Sequence, residues 1–490
     1  MIGRIFTLQV RGACAVAAAA LAISAPLAAQ ARLDRNAAPK AGASPKLRVP
    51  TWTKTALANG ADLIVIEKHD LPLVAFTIDF VGGSANYEPA DKTGLAGFTG
   101  QMLSEGTKTR TADQLSDAQQ LLGTSINGSV GNESGSMRFT SLKDKFEPSL
   151  LLLTDMMLNS TFPDSALERI RGRTMVGLAQ QKDQPNSIAA NVFTKVTYGD
   201  DHPYGRVVSE RTVKAITRDD IVAFHKAYFR PGRAIITVTG DVDARSIKGV
   251  VEKALAAWPA GGERPSFKYP APPAAKTRTI YLIDKPKAAQ SVFAFGTPGP
   301  SRSTPDYYSL SVMNHLLGGL FQSRLNHDIR ELKGFSYGVN SNFAFGRGPG
   351  AFRAGGGIVS AKSDSALMGF MTHFKGVQGE MPFTDDEMKQ GKESLVQSLP
   401  GRFESVNGIG AAISSIYTQD LPENYFKEYA DKINAVTRAD LVRVARKYID
   451  IDHMNMVIVG DRAAIESSLI KTGIAPIVLL DVDGKPVIVP

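Results

Sequence analysis

A chain of 490 residues with one cysteine cannot staple itself with a disulfide, and that cysteine, Cys14, lies in an apolar run near the N-terminus. The fold must be held by its core, which a chain of this length is large enough to build. Blocks of like charge are missing as well. Lysine and arginine exceed aspartate and glutamate by only eight, and they are dispersed, so no nucleic-acid partner is expected. The seven histidines, at 69, 202, 225, 315, 327, 373 and 453, include no pair four apart on a helix. With no thiol to assist, zinc binding by this chain alone is not expected. After residue 31 no apolar run is long enough to span a bilayer, and no stable membrane anchor is expected.

What is present is globular: 43% hydrophobic and 21% charged residues, over a length that suggests two to four domains at about 100–200 residues each. Arg4 and Arg11 precede the run ACAVAAAALAISAPLAA, which closes on Ala29-Gln30-Ala31. That pattern reads as a secretory signal with an A-x-A cleavage site, and the run is too short and too broken by Pro26 for an anchor. Cleavage would take the formal charge from +8 to +6 and leave a thiol-free, periplasmic chain.

The strongest organisational signal is an internal repeat. ITRDDIVAFHKAYFRPGRAIITVTGDVD from Ile216 aligns without a gap to VTRADLVRVARKYIDIDHMNMVIVGDRA from Val436, at a constant offset of 220. Thr217 faces Thr437, Asp220 faces Asp440, Tyr228 faces Tyr448, and Gly240-Asp241 faces Gly460-Asp461. Each copy predicts a threonine-capped helix and a β-branched strand ending at Gly-Asp. PLVAFTIDFVGGSANYEPADKTGLAGF and AAQSVFAFGTPGPSRSTPDYYSLSVM correspond in the same way, as strand, turn and helix. The fold class is therefore α+β with two duplicated domains, each a mixed or antiparallel sheet with helices on one face. The boundaries follow as a signal at 1–31, an exposed segment at 32–47, domains at 48–262 and 277–475, a proline-rich linker at 263–276 and a tail at 476–490.

Residues 94–107, GLAGFTGQMLSEGT, pose a question of their own. Leu95, Phe98 and Met102 make one apolar stripe of a helix, while Gly97, Gly100 and Gln101 take another side. Each glycine costs roughly 1 kcal/mol relative to alanine inside a helix.

With this helix, the LANGADLIVIEKHDLPLVAFTIDFVGGSANYEP segment, HPYG at 202–205, YFRPGRAIITVTGDV and GGLFQSRLNHDIRELKGFSYGV in order, the chain resembles the pitrilysin/insulinase-type metallopeptidases. The resemblance is to the two-domain group that includes the mitochondrial processing peptidase, whose two-domain chains form half of a clamshell. Active members place His-x-x-Glu-His on this helix, two histidines on one face as zinc ligands and the glutamate as base, with a glutamate from a later helix as third ligand. Here the three positions are Gly97, Gly100 and Gln101, and near Val176 and Gly177, where the later glutamate would fall, there is no carboxylate. The resemblance also implies a role for an arginine and a tyrosine seven apart, found here as Arg330 and Tyr337 in IRELKGFSYGV. A guanidinium and a phenol suit a peptide carbonyl and the oxyanion that develops from it. Each residue also has a plain structural use, an arginine against a helix C-terminus and a tyrosine packed on a strand where Phe335, Tyr337 and Val339 alternate.

The expected function is the non-zinc subunit of a heterodimeric periplasmic zinc endopeptidase. A homologous, zinc-motif-bearing partner holds the zinc, short unfolded peptides are the substrates, and this chain binds no cofactor and is inactive alone. The alternative is a catalytically silent scaffold or peptide-binding protein of the same fold. NGSVGNESGSMRF at 127–139 reads as a polar strand; the resemblance implies an exposed edge that pairs with extended substrate, and the alternative is an ordinary sheet edge. GRGPGAFRAGGG at 346–357 reads as a glycine-rich hairpin rather than a phosphate loop. His225 reads as a solvated helix position and HPYG as a structural loop.

Overall fold

The computed structural model describes residues 47–262 and 265–487. The proposed signal lies outside the described residues, as do all but the last residue of the segment at 32–47. In the first half, six strands are ordered β1-β2-β6-β3-β5-β4: β1 (Thr53–Ala56), β2 (Asp62–Glu67), β3 (Leu73–Val81), β4 (Asn127–Val130), β5 (Ser134–Leu142) and β6 (Ala234–Gly240). In the second half the order is β12-β7-β11-β8-β10-β9: β7 (Thr279–Asp284), β8 (Gln290–Pro298), β9 (Ser336–Phe343), β10 (Ala351–Val359), β11 (Asn455–Gly460) and β12 (Ile477–Leu480). Five strands repeat position for position. β6 runs parallel to β2 and antiparallel to β3, as β11 runs parallel to β7 and antiparallel to β8. The sixth strand breaks the symmetry, since β1 pairs antiparallel with β2 whereas β12 pairs parallel with β7. The stretch 476–490, read from sequence as a tail, thus supplies a strand.

The helices used below are α1 (Leu95–Met102), α2 (Asp164–Gln181), α3 (Pro185–Tyr198), α4 (Arg218–Tyr228), α5 (Tyr307–Asn314), α6 (Val406–Thr418) and α7 (Arg438–Tyr448). The repeated helices α4 and α7 keep the offset of 220, and both start with a capping box: Thr217 accepts from the Asp220 N–H and Thr437 from the Asp440 N–H. Satisfying free N–H groups in this way is worth about 1 kcal/mol per cap.

The halves are joined by exchange as well as by the linker. α3, from the first half, lies on the second sheet, where Ile188, Val192 and Phe193 pack with Val292, Ala294, Val457 and Val459. α6, from the second half, lies on β3 and β6 of the first sheet. There Ser414 donates to the Asp79 carboxylate at 2.5 Å, and burial raises the Asp79 pKa above the ordinary carboxylate range. Each sheet therefore has a helix from the opposite half on one face, in addition to the helices of its own half.

The linker is pinned rather than loose where it is described. The Phe267 ring packs on Tyr87, and the Tyr269 hydroxyl donates to Asn86.

Candidate functional site

α1 starts where Gly94 takes φ +112°, a conformation that disfavours any other residue. The Glu88 carboxylate accepts from the Gly94 and Ala96 N–H groups at 2.9 and 2.8 Å, so the first turn is satisfied by a side chain that the sequence did not single out. Burial, opposed by these hydrogen bonds, leaves the Glu88 pKa raised. Leu95, Phe98 and Met102 are buried, as the stripe predicts.

Gly97, Gly100 and Gln101 do not share one environment. Gly97 faces open space, with nothing within 4 Å of an added Cβ, and Gln101 is exposed, its Nε2 donating back to the Gly97 carbonyl. Gly100 is buried against β4, where an added Cβ would lie 3.1 Å from Ser129 Cα and 3.2 Å from the Val130 nitrogen. The three share one side of the helix, at i, i+3 and i+4, but of them only Gly100 is covered by the edge strand β4. On α2, Val176 is 60% exposed and Gly177 also faces open space. Among the described residues no three of His, Cys, Asp or Glu come together in a way that could hold a metal ion.

The second half presents a different surface. Arg330 sits on the π-helical turn His327–Leu332, and Gly334 at φ +63° closes that turn, its N–H bonded to the Arg330 carbonyl at 3.1 Å. The guanidinium lies 4.2 Å over the Phe321 ring, and its Nη1 is buried without a hydrogen-bond partner. Tyr337 follows at the start of β9, the outermost strand of its sheet, and is 91% exposed.

The strand is bulged at that point: Ser336 pairs with Ile358 and Val339 with Gly356, so Tyr337 and Gly338 together oppose Gly357. Ser336 Oγ stabilises the bulge, accepting from the Gly338 N–H at 2.9 Å and donating to the Gly357 carbonyl at 2.7 Å. The expected alternation of Phe335, Tyr337 and Val339 therefore fails. The extra residue sends Tyr337 to solvent while Val339 is buried, which an unbroken period of two forbids.

The glycine-rich segment 346–357 forms the turn of the β9–β10 hairpin and most of β10, and the turn holds an anion supplied by the chain itself. Glu133, in the turn between β4 and β5, accepts from the Arg347 N–H at 3.0 Å, from the Gly348 N–H at 3.3 Å and from the Tyr204 hydroxyl. The equivalent hairpins of the two halves thus clasp each other. His202, in HPYG, is buried and ties the loop to the Pro270 carbonyl at 3.0 Å, a structural role as expected. His225 is not solvated: it bonds the Met157 carbonyl at 2.7 Å between Phe162 and Phe229, and burial lowers its pKa.

A duplicated α+β architecture of this kind is that of solved M16 peptidases. The structure superposes on a peptidase M16 inactive domain from Pseudomonas fluorescens with a TM-score of 0.78 at 26% identity, covering 84% of this chain and 99% of that one. It superposes on the periplasmic protease PqqL from Escherichia coli with a TM-score of 0.70 at 14% identity, over 85% of this chain and 46% of that one. The chain belongs to the M16 peptidase family: residues 63–207 match insulinase (peptidase family M16) and residues 215–395 match the peptidase M16 inactive domain. It is 25% identical over 388 residues to an uncharacterized zinc protease, YmxG, of Bacillus subtilis, spanning 79% of this chain and 92% of that protein. A second uncharacterized zinc protease, ML0855 of Mycobacterium leprae, is 29% identical over 322 residues, 64% of this chain and 68% of that protein. Among the described residues no helix is long and apolar enough to cross a membrane.

Proposed function

We propose that this chain is the non-zinc subunit of a heterodimeric zinc endopeptidase of the periplasm, and that it lends Arg330 and Tyr337 to a zinc site held by a homologous subunit. The observation that carries the reading is a difference between the halves. α1 offers Gly97, Gly100 and Gln101 where the family places its ligands and base, while the second half presents an exposed phenol on a bulged strand and a guanidinium with an unpartnered Nη1.

In this reading the zinc-binding motif has been lost here, and the partner's zinc supplies the activation of water. The two side chains of this subunit orient an unfolded peptide and donate to its scissile carbonyl, most strongly as negative charge develops on that oxygen. The compartment rests on Arg4, Arg11 and the apolar run that follows them.

The test is co-purification from the native periplasm followed by reconstitution. The isolated chain is expected to contain no stoichiometric zinc and to cleave no peptide, and a zinc-motif homologue is expected to co-purify and restore activity on mixing. In the mixture Arg330→Ala should lower kcat/KM by about 100-fold and Tyr337→Phe by about 10-fold, with assembly intact. A mixed enzyme indifferent to both substitutions would leave the silent scaffold as the function.

A further inference from the structure

Asn326 is 4% exposed, in the turn Arg324–Asn326 that leads into the Arg330 segment. Both ends of its amide are used. Nδ2 donates to the Phe321 carbonyl at 2.6 Å, and Oδ1 accepts from the Val339 N–H at 3.1 Å. The amide meets both demands at once, whereas a carboxylate has no donor for the carbonyl and a hydrophobic side chain has neither group. The two backbone atoms it joins lie in the two segments that matter. Phe321 carries the ring under the Arg330 guanidinium, and Val339 is the first residue past the bulge that carries Tyr337.

We propose that Asn326 is the positioning residue of the Arg330–Tyr337 pair, fixing the ring that supports the guanidinium relative to the strand that bears the phenol. The proposal rests on the composite-site reading above. Phe321 is its second element: a ring 63% exposed has little packing role, yet it lies face-on to the cation.

The test has two arms. In the isolated chain, Asn326→Asp keeps the acceptor for Val339 but sets a carboxylate oxygen against the Phe321 carbonyl. Amide exchange should therefore quicken at least 5-fold in residues 320–327 while 336–343 keep their protection. In the reconstituted enzyme, Asn326→Asp should lower kcat about 10-fold with KM within 2-fold, and should cost less than 2-fold when added to Arg330→Ala. Phe321→Ala, which empties no core, should reproduce the kcat loss and keeps the test open if the buried variant folds poorly.

An equal loss in the wild-type and Arg330→Ala backgrounds would assign Asn326 a general structural role and overturn the proposal. So would a reconstituted enzyme that loses activity with Arg330→Ala but not with Asn326→Asp. If Arg330→Ala itself is silent, the composite-site reading falls first and takes this proposal with it.

Discussion

The two sheets end in equivalent edge strands, β4 and β9, that differ in length and in what they expose. β4 is four residues long and lies close under α1, with Gly100 and Gly128 removing the side chains that would hold helix and strand apart. β9 is eight residues long, is anchored beneath through the Ser341 hydroxyl to Asn314, and is bulged so that Tyr337 leaves the surface. A shared topology fixes where an edge lies but not what it offers. The residue inserted at the β9 bulge makes the difference.

Gly318 gives the helical segment after α5 the same close approach to β9 that Gly100 gives α1 to β4. An added Cβ at Gly318 would sit 2.5 Å from the Ser341 backbone nitrogen, and a strand in the ladder cannot step aside alone. Gly318→Ala is expected to destabilise the chain by about 3 kcal/mol, read as a lower urea midpoint. An unchanged midpoint would mean that β9 is not held as tightly as the geometry indicates.

A second difference lies in the duplicated tyrosines of α4 and α7. The Tyr228 hydroxyl donates to the Gly82 carbonyl at 2.6 Å, whereas that of Tyr448 donates to the Asp306 carboxylate at 2.8 Å, where Lys447 and Arg443 also bond. Burial would raise the Asp306 pKa, but the hydrogen bonds from Lys447, Tyr448 and Arg443 overcome it and lower the pKa to about 2. A folded pKa below the unfolded one contributes stability that is present above about pH 4 and lost as pH falls toward 2. Asp306→Asn should therefore cost about 2 kcal/mol at neutral pH and flatten the acid limb of the stability profile, an effect with no counterpart at Tyr228, whose acceptor does not titrate. A profile of the same shape in both proteins would remove Asp306 from the account.

The hairpin clasp yields a smaller expected effect. Glu133→Gln keeps one acceptor oxygen for the Arg347 and Gly348 N–H groups and the Tyr204 hydroxyl, but it removes the charge that all three donate to. A loss of about 1 kcal/mol is expected in the urea midpoint, together with faster amide exchange in residues 346–350. Unchanged exchange there would show that the loop keeps its shape without the carboxylate.

Much of this architecture is legible in the chain because it is written in local periodicities. The offset of 220 between Thr217 and Thr437 carries cap, helix and strand together, and the Leu95–Phe98–Met102 stripe names the buried face of α1. The exchange of α3 and α6 is not legible, since an amphipathic pattern states that a face is buried and is silent on what covers it. The bulge is missed for a related reason. Reading a strand by twos assumes that no residue is inserted, and only Gly338 beside Tyr337 hinted otherwise. Glu133, Glu88 and Asn326 left no pattern at all, because each acts through backbone groups distant in sequence or fixed by a turn.

The smallest effect is the one that bears most directly on α1. Gly97 is helical, half-buried and faces open space, so Gly97→Ala should gain roughly 0.5–1 kcal/mol from helix propensity alone, with composite activity unchanged. At Gly100 the same gain is opposed by the 3.1 Å approach to Ser129 Cα, and the net change should be near zero. The pair of measurements separates two reasons for a glycine in a helix. If Gly97→Ala stabilises the isolated chain but weakens the assembly proposed above, that bare face is where another backbone comes close. If assembly is untouched, Gly97 has no packing role, and of the two glycines Gly100 alone serves this chain's own packing.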